Sequence, residues 1–365
     1  MVRYFISTLI LLSICFIGND EFLMSKNRRV GYKKTLSQGD SNLYNNLKIL
    51  LISGFWTKSA VNNLLAKAHN HYKDPNERMT NILKRFMKTP FAYEEKTGYK
   101  IKRNEILVNL ASFDCITLIY YMSALNISHN FKEFVLNVGR IRYKNFESQE
   151  IDSHHDKGNL FDFAYNALII NGTKNRNFYR NITNELIRNN NLKAKNETRI
   201  LQRKKAETSV GKHITRPKYA EDGKSQKVSM KFIDPQDIDK IWRDVKSGDI
   251  VLFGKRLRTK EEILRGEVDI LVGHCGLIVK AKDLPETIKT LNGIDNNSKE
   301  VYFVHASENN NRNGKKSGLD FAGQYYEIIP DGFHQYDSRY PRTLKNYVLG
   351  TGFSGVVILR PQNVN

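Results

Sequence analysis

The chain has 365 residues, 40% of them hydrophobic and 26% charged, with 19 Phe, 18 Tyr and a mean hydropathy of −0.52. At about 100–200 residues per domain this is one large domain or two small ones; the polar balance excludes a multi-span membrane protein, and the aromatic load excludes wholesale disorder. Lys and Arg outnumber Asp and Glu by 58 to 38, a formal net charge of +20, so the surface favours anionic company such as nucleic acid, acidic lipid or an anionic cell-surface polymer.

Residues 1–18 join the basic start Met1-Val2-Arg3 to an apolar run with no further charge before Asp20. This predicts a signal peptide or an N-terminal anchor, and a periplasmic or secreted protein. Ser13 and Cys15 suit cleavage after Cys15, whereas Leu12-Ser13-Ile14-Cys15 is a poor lipobox because Ile14 stands where a small residue belongs. The other cysteines, Cys115 and Cys275, are too few for a disulfide framework. Residues 19–60 are expected to form a partly helical extension, and 61–365 the main domain.

From Leu43 to Lys88 apolar residues recur at three and four: Leu47, Leu50, Leu51 and Phe55, then Val61, Leu64, Leu65 and Ala68, then Met79, Ile82, Leu83 and Phe86. Further helices are predicted over 114–126, 131–143, 161–171 and 177–189. Between Glu185 and Lys231 there are 13 Lys or Arg against 5 Asp or Glu, which predicts a basic surface insertion, an electrostatic tether toward an anionic envelope. The period then changes to two, with strands expected over 249–253, 269–279, 301–307 and 356–359. Helices first and strands second give the class α+β and not a wound parallel sheet.

Some motifs carry nothing. Gly350-Thr351-Gly352-Phe353-Ser354-Gly355 satisfies GxGxxG but opens no βαβ unit, so a glycine turn is expected. His154-His155-Asp156 reads as a solvated loop, since adjacent histidines seldom share an ion. The Asn-x-Ser/Thr triplets at Asn126, Asn171, Asn181 and Asn196 are expected by chance in so Asn-rich a chain.

The chemistry is concentrated elsewhere. Asp114 to Leu125 is apolar almost all round, which marks a buried helix with Cys115 in its first turn, where the helix dipole favours a thiolate. By itself Cys115 is equally a small hydrophobe at a helix start. In Val272-Gly273-His274-Cys275-Gly276, strand alternation puts His274 on one face and Cys275 on the other, with Gly276 beside His274 leaving room for a partner. Cys275 is thereby expected to point away from the chemistry and to serve packing. In Phe303-Val304-His305-Ala306-Ser307, His305 and Ser307 share a face. A thiol at a helix start and two strand histidines supply a nucleophile, a base and a residue to orient the base. A zinc site from Cys115, His274 and His305 lacks a fourth ligand and the usual local pair, so no metal is expected.

These segments together resemble the amidase-like relatives of the NlpC/P60 cell-wall hydrolases, the family DUF1460. The resemblance runs from about Leu64 to Pro361. Its pieces are Val108-Asn109-Leu110 leading to Phe113-Asp114-Cys115-Ile116-Thr117, Arg140-Ile141-Arg142-Tyr143, Lys246-Ser247-Gly248-Asp249-Ile250, His274-Cys275-Gly276, His305-Ala306-Ser307 and Gly355-Val356-Val357-Ile358-Leu359-Arg360-Pro361. It implies a papain-like α+β fold with the nucleophile helix on an antiparallel sheet. It further implies Cys115 as nucleophile, His274 as base and His305 as the orienting residue, with Asp114, Phe91 and Ser307 on the substrate side. The implied activity is that of an N-acetylmuramoyl-L-alanine amidase acting on peptidoglycan fragments without a cofactor.

Two departures bear on substrate choice. Thr89-Pro90-Phe91 replaces the family's Thr-Pro-Tyr, and Gly158-Asn159-Leu160-Phe161-Asp162-Phe163 stands where an Asn-His-Phe-Phe stretch is usual. The alternatives are an NlpC/P60-type endopeptidase cutting the D-glutamyl-diamino acid bond, and a non-catalytic binder of anionic envelope polymer. No nucleic-acid-binding motif supports a nucleic-acid partner.

Overall fold

The computed structural model describes residues 36–87, 89, 105–143, 146, 178–202, 225–255, 272–286, 289–290, 294–306, 324–326 and 343–363. Helix α4 (Cys115–Ile127) is apolar on every side, and its residues from Ile116 to Asn126 are all buried. Such a helix needs neighbours all round. Helices α2 (Lys58–His71), α3 (Pro75–Phe86) and α5 (Phe131–Arg142) supply them, burying Leu65, Leu83, Phe86 and Phe134 in the same cluster. Fully burying one such side chain contributes about 1.5–3 kcal/mol. The short α1 (Gln38–Asn45) is tied to α5 by an ion pair between Asp40 and Arg140.

The expected helical run over 43–88 is interrupted. Lys48–Ile52 is a strand, β1, pairing in parallel with β2 (Glu105–Asn109). The run KILLI is too short for its period to separate strand from helix, and pairing decides the outcome. Within the stretch expected as an extension, 19–60, the chain thus carries a helix and a strand.

The large sheet is built from β3 (Tyr179–Asn181), β4 (Ala194–Gln202), β5 (Ser225–Ile233), β6 (Ile250–Gly254), β7 (Val272–Lys280), β8 (Val301–Ala306), β9 (Gln324–Tyr326) and β10 (Gly355–Pro361). Its order is β4-β5-β10-β6-β7-β8-β9, with β3 also on β10, and every pairing is antiparallel. Alternation divides the side chains: Leu252, Cys275, Leu277, Val304 and Val357 join the core that holds α4. Val251, Phe253, Ile278, Phe303 and Ile358 face the other way, toward α6 (Thr183–Asn189), a 3-10 turn at Pro235–Ile241 and α7 (Leu344–Thr351). The result is α+β with an antiparallel sheet, as the order of periods implied.

The stretch 185–231 is not simply an insertion on the surface. Its first part lies in α6, and β4 and much of β5 fall within it, paired from Ala194↔Ile233 to Gln202↔Ser225. Leu186, Leu192 and Met230 are buried. The expected helix over 177–189 is β3 followed by α6, whereas the helix expected over 161–171 lies outside the described residues, as do residues 1–35 and His154-His155-Asp156. The GxGxxG stretch is a turn: α7 ends at Thr351 and Gly352 caps it in the left-handed region at φ 71°. Gly355 then opens β10 where a Cβ would stand 2.4 Å from the Ile233 carbonyl oxygen.

Candidate active site

The approach to Cys115 is shaped by Asn109, at the end of β2. Its Oδ1 accepts from the backbone N–H groups of Ala111 (3.0 Å) and Ser112 (3.2 Å), while its Nδ2 donates to the Ser112 hydroxyl (2.9 Å). This turns the chain toward α4. Asp114 then caps the helix, its Oδ1 accepting from the N–H of Ile116 (3.1 Å) and of Thr117 (2.8 Å), and the Thr117 hydroxyl accepts from the Asp114 N–H at 2.9 Å. Asp114, expected on the substrate side, therefore fixes the first turn that presents the thiol.

His274 and His305 meet on neighbouring strands, with His274 Nε2 2.6 Å from His305 Nδ1. Gly276 lies opposite His305, where a Cβ would come within 2.7 Å of the Val304 carbonyl oxygen and 3.3 Å of His305 Cβ. The space expected beside His274 is thus filled by its partner. Phe253 stacks on the His274 ring at 5.6 Å between centroids, and Phe303 and Tyr347 lie 4.7 and 5.2 Å from that of His305. Burial in this apolar surround, followed by the charge of His274, holds the His305 pKa well below the usual histidine range. Either ring can donate across this contact, according to tautomer; in the form with the His305 proton on Nε2, His305 accepts from His274 Nε2–H and His274 Nδ1 is left to face the thiol.

Cys115 is partly exposed and Cys275 is fully buried, and both are free thiols. The Cys115 thiol is held well below its ordinary range, first by a hydrogen bond from Cys275, then by the charge and hydrogen bond of His274 and by the Ile116 N–H, against the opposing effect of burial. Cys275 is pushed the opposite way, by burial, by its bond to Cys115 and by the charges of Cys115 and Asp114. Of the two thiols, Cys115 is the one whose surroundings favour loss of its proton to a base.

This corrects one expectation. Cys275 does face away from His274, but α4 packs on the face it points to, and its Sγ donates to the Cys115 carbonyl oxygen at 3.1 Å. Alternation along a strand says nothing about which face a distant helix will cover. Phe91 and Ser307 lie outside the described residues. Of the six site residues read from the sequence, Cys115, His274, His305 and Asp114 come together. Tyr347 comes to His305 from α7, and no local sequence motif marks it.

Two segments of the family pattern serve the frame. Asp249 is 0% exposed and binds Arg360 through both oxygens, at 3.0 Å to Nε and 2.8 Å to Nη2. It also accepts from Asn76 Nδ2 (2.7 Å) and the Lys246 N–H (2.8 Å), joining α3, β6 and β10.

The family model described as AmiA-like, N-acetylmuramoyl-L-alanine amidase-like, matches residues 81–313 of this chain. A protein of Legionella pneumophila str. Philadelphia 1, assigned to the DUF1460 family model, has a similar solved structure: TM-score 0.53 at 12% identity, covering 84% of this chain and 95% of that one. Two crystal structures of an N-acetylmuramoyl-L-alanine amidase from Bacteroides uniformis ATCC 8492 align at TM-scores of 0.42 and 0.43 and 14% identity, covering 83% of this chain and 99% of theirs. No curated protein matches the sequence.

Proposed function

The chain belongs to the AmiA-like, N-acetylmuramoyl-L-alanine amidase-like family, and from that premise we propose that it is a cysteine amidase cleaving the bond between the muramoyl lactyl group and L-alanine in peptidoglycan fragments. The observation that carries the cysteine mechanism is the ordered set of thiol, base and orienting ring: Cys115 beside His274, and His274 2.6 Å from His305. A nucleophile helix packed on an antiparallel sheet that carries the histidines also supports a papain-like plan of the NlpC/P60 kind.

His274 Nδ1 takes the Cys115 proton, and the thiolate attacks the lactyl carbonyl carbon. The oxyanion that develops is met by the Cys115 backbone N–H at the start of α4, since Asp114 takes those of Ile116 and Thr117. The tetrahedral adduct collapses to a thioester as His274 protonates the leaving amine of L-alanine. Water, deprotonated by His274, then releases the muramoyl carboxylate and restores the thiol. With residues 1–18 as leader or anchor, the reaction takes place outside the cytoplasm, where a net charge of +20 draws the protein toward anionic wall polymer.

Mass spectrometry of disaccharide-peptides treated with the purified enzyme tests this reading. Free disaccharide and an intact stem peptide are expected. Cleavage within the peptide and an untouched muramoyl junction would replace the amidase by the endopeptidase.

A further inference from the structure

We propose that Cys275 is a positioning residue for the nucleophile, its S–H acting as a donor that turns between the Cys115 carbonyl oxygen and the Cys115 sulfur. The proposal rests on the amidase reading for its role in turnover, but the contact itself is independent of the substrate. Cys275 Sγ lies 3.1 Å from the Cys115 carbonyl oxygen, which brings its S–H to the residue that carries the nucleophile, and the same S–H acts to lower the pKa of the Cys115 thiol. A thiol has one proton, so the two acceptors compete. While Cys115 is a neutral thiol, its carbonyl oxygen is the better acceptor. Once His274 has taken the Cys115 proton, the anionic sulfur becomes the stronger acceptor and receives a charge-assisted bond. In the thioester that sulfur loses its charge, and the S–H returns to the carbonyl.

The position suits this work. Cys275 stands on the face of β7 that meets α4, beside Leu252 of β6 in register, and is fully buried. Water cannot replace a donor there. The groups that act on the two sulfurs are His274 on β7, Asp114 and the Ile116 N–H at the head of α4, and each sulfur on the other. His305 on β8 reaches them through His274.

The test compares wild type with Cys275→Ala and Cys275→Ser in the full chain. Alkylation of Cys115 by iodoacetamide is followed against pH by peptide mass, which reports the thiolate population without any substrate. Loss of the donor in Cys275→Ala should raise the apparent pKa of Cys115 by about 0.5–1 unit, and kcat/KM at pH 6 should fall about 3- to 10-fold with the deficit closing at alkaline pH. Cys275→Ser, which keeps a donor, should recover most of both. If Cys275→Ala fails to fold, Cys275→Val fills the volume without a donor and takes its place. An alkylation profile in the donorless variant that superimposes on wild type would overturn the proposal, as would a serine variant impaired as much as alanine, since packing alone would then explain the site. Absence of muropeptide turnover by wild type would overturn the amidase reading and leave the alkylation comparison to decide this one.

Discussion

His274 Nε2 and His305 Nδ1 are 2.6 Å apart, and in the proposed mechanism that contact ties up one nitrogen of His274 and leaves the other to serve the thiol. His305 is buried and held neutral, so in the Nε2–H tautomer it can receive the bond from His274, and the positive charge of the proposed mechanism then forms on His274 alone.

Removing His305 should therefore lower kcat without much change in KM. For His305→Ala a loss of about 10²–10⁴-fold in kcat is expected, the range of a general base that has lost its orientation. His305→Asn, whose amide oxygen can still accept, should retain more activity than the alanine variant. Steady-state kinetics on disaccharide-peptides separates the two parameters; a variant that raises KM alone would place His305 at the substrate instead.

Cys115→Ala should abolish hydrolysis while changing stability by less than about 0.5 kcal/mol, because the side chain is partly exposed and the Asp114 cap of α4 does not depend on it. Activity measured beside a urea titration checks both halves. Residual turnover by Cys115→Ala would contradict the assignment of the nucleophile.

His69 stacks on His129 at 4.0 Å between ring centroids, with its Nε2 buried and unsatisfied. Burial and the charges of Arg78, His129 and Lys73 hold its pKa at about 3, against an opposing bond with the Ser128 backbone. The unfolded chain, with an ordinary value near 6.5, binds the proton more readily, so stability falls as pH drops from 6.5 toward 3. At pH 5 the loss should be about 1–2 kcal/mol, allowing for partial exposure of the ring. His69→Phe should flatten the dependence of the thermal midpoint on pH between 7 and 5; an unchanged slope would assign the acid sensitivity to other groups.

The ion pair of Asp249 and Arg360 predicts an asymmetry. Arg360→Met leaves a buried carboxylate with only the Asn76 amide and the Lys246 N–H, and should cost about 3–5 kcal/mol. Adding Asp249→Leu to Arg360→Met should recover much of that loss, since no charge is then left buried. Denaturant titrations of the single and double variants give the comparison. A double variant as unstable as the single one would show that the hydrogen bonds across α3, β6 and β10 matter more than the stranded charge.

The strongest local signals in the sequence became the centre of the site. Helix α4 was legible because no ordinary amphipathic helix is apolar on all faces, and the His274 and His305 strands because Leu277-Ile278-Val279 and Val301-Tyr302-Phe303-Val304 are short apolar runs set off by glycine or asparagine. Less was legible where charge masked the period. Val228, Met230 and Phe232 alternate along β5, yet Ser229 and Lys231 between them, and the basic residues before them, read as solvated chain. The outward face of such a strand tolerates exactly those residues when its other face is buried. Strand β1 was lost because five residues cannot display a helical or a strand period alone. The Cys275 contact was not legible at all, since it depends on the choice of sheet face by α4, a matter of tertiary packing.

In the proposed mechanism the Cys115 sulfur becomes acylated by the lactyl side of the muramoyl-L-alanine bond, and the mass of a trapped acyl-enzyme reads this out. Rapid acid quench during turnover of a disaccharide-peptide, followed by peptide mapping, should find Cys115 carrying the disaccharide through a thioester, with the stem peptide released intact. A Cys115 adduct that carries the disaccharide together with L-alanyl-D-glutamate, or an adduct on Cys275, would contradict the account.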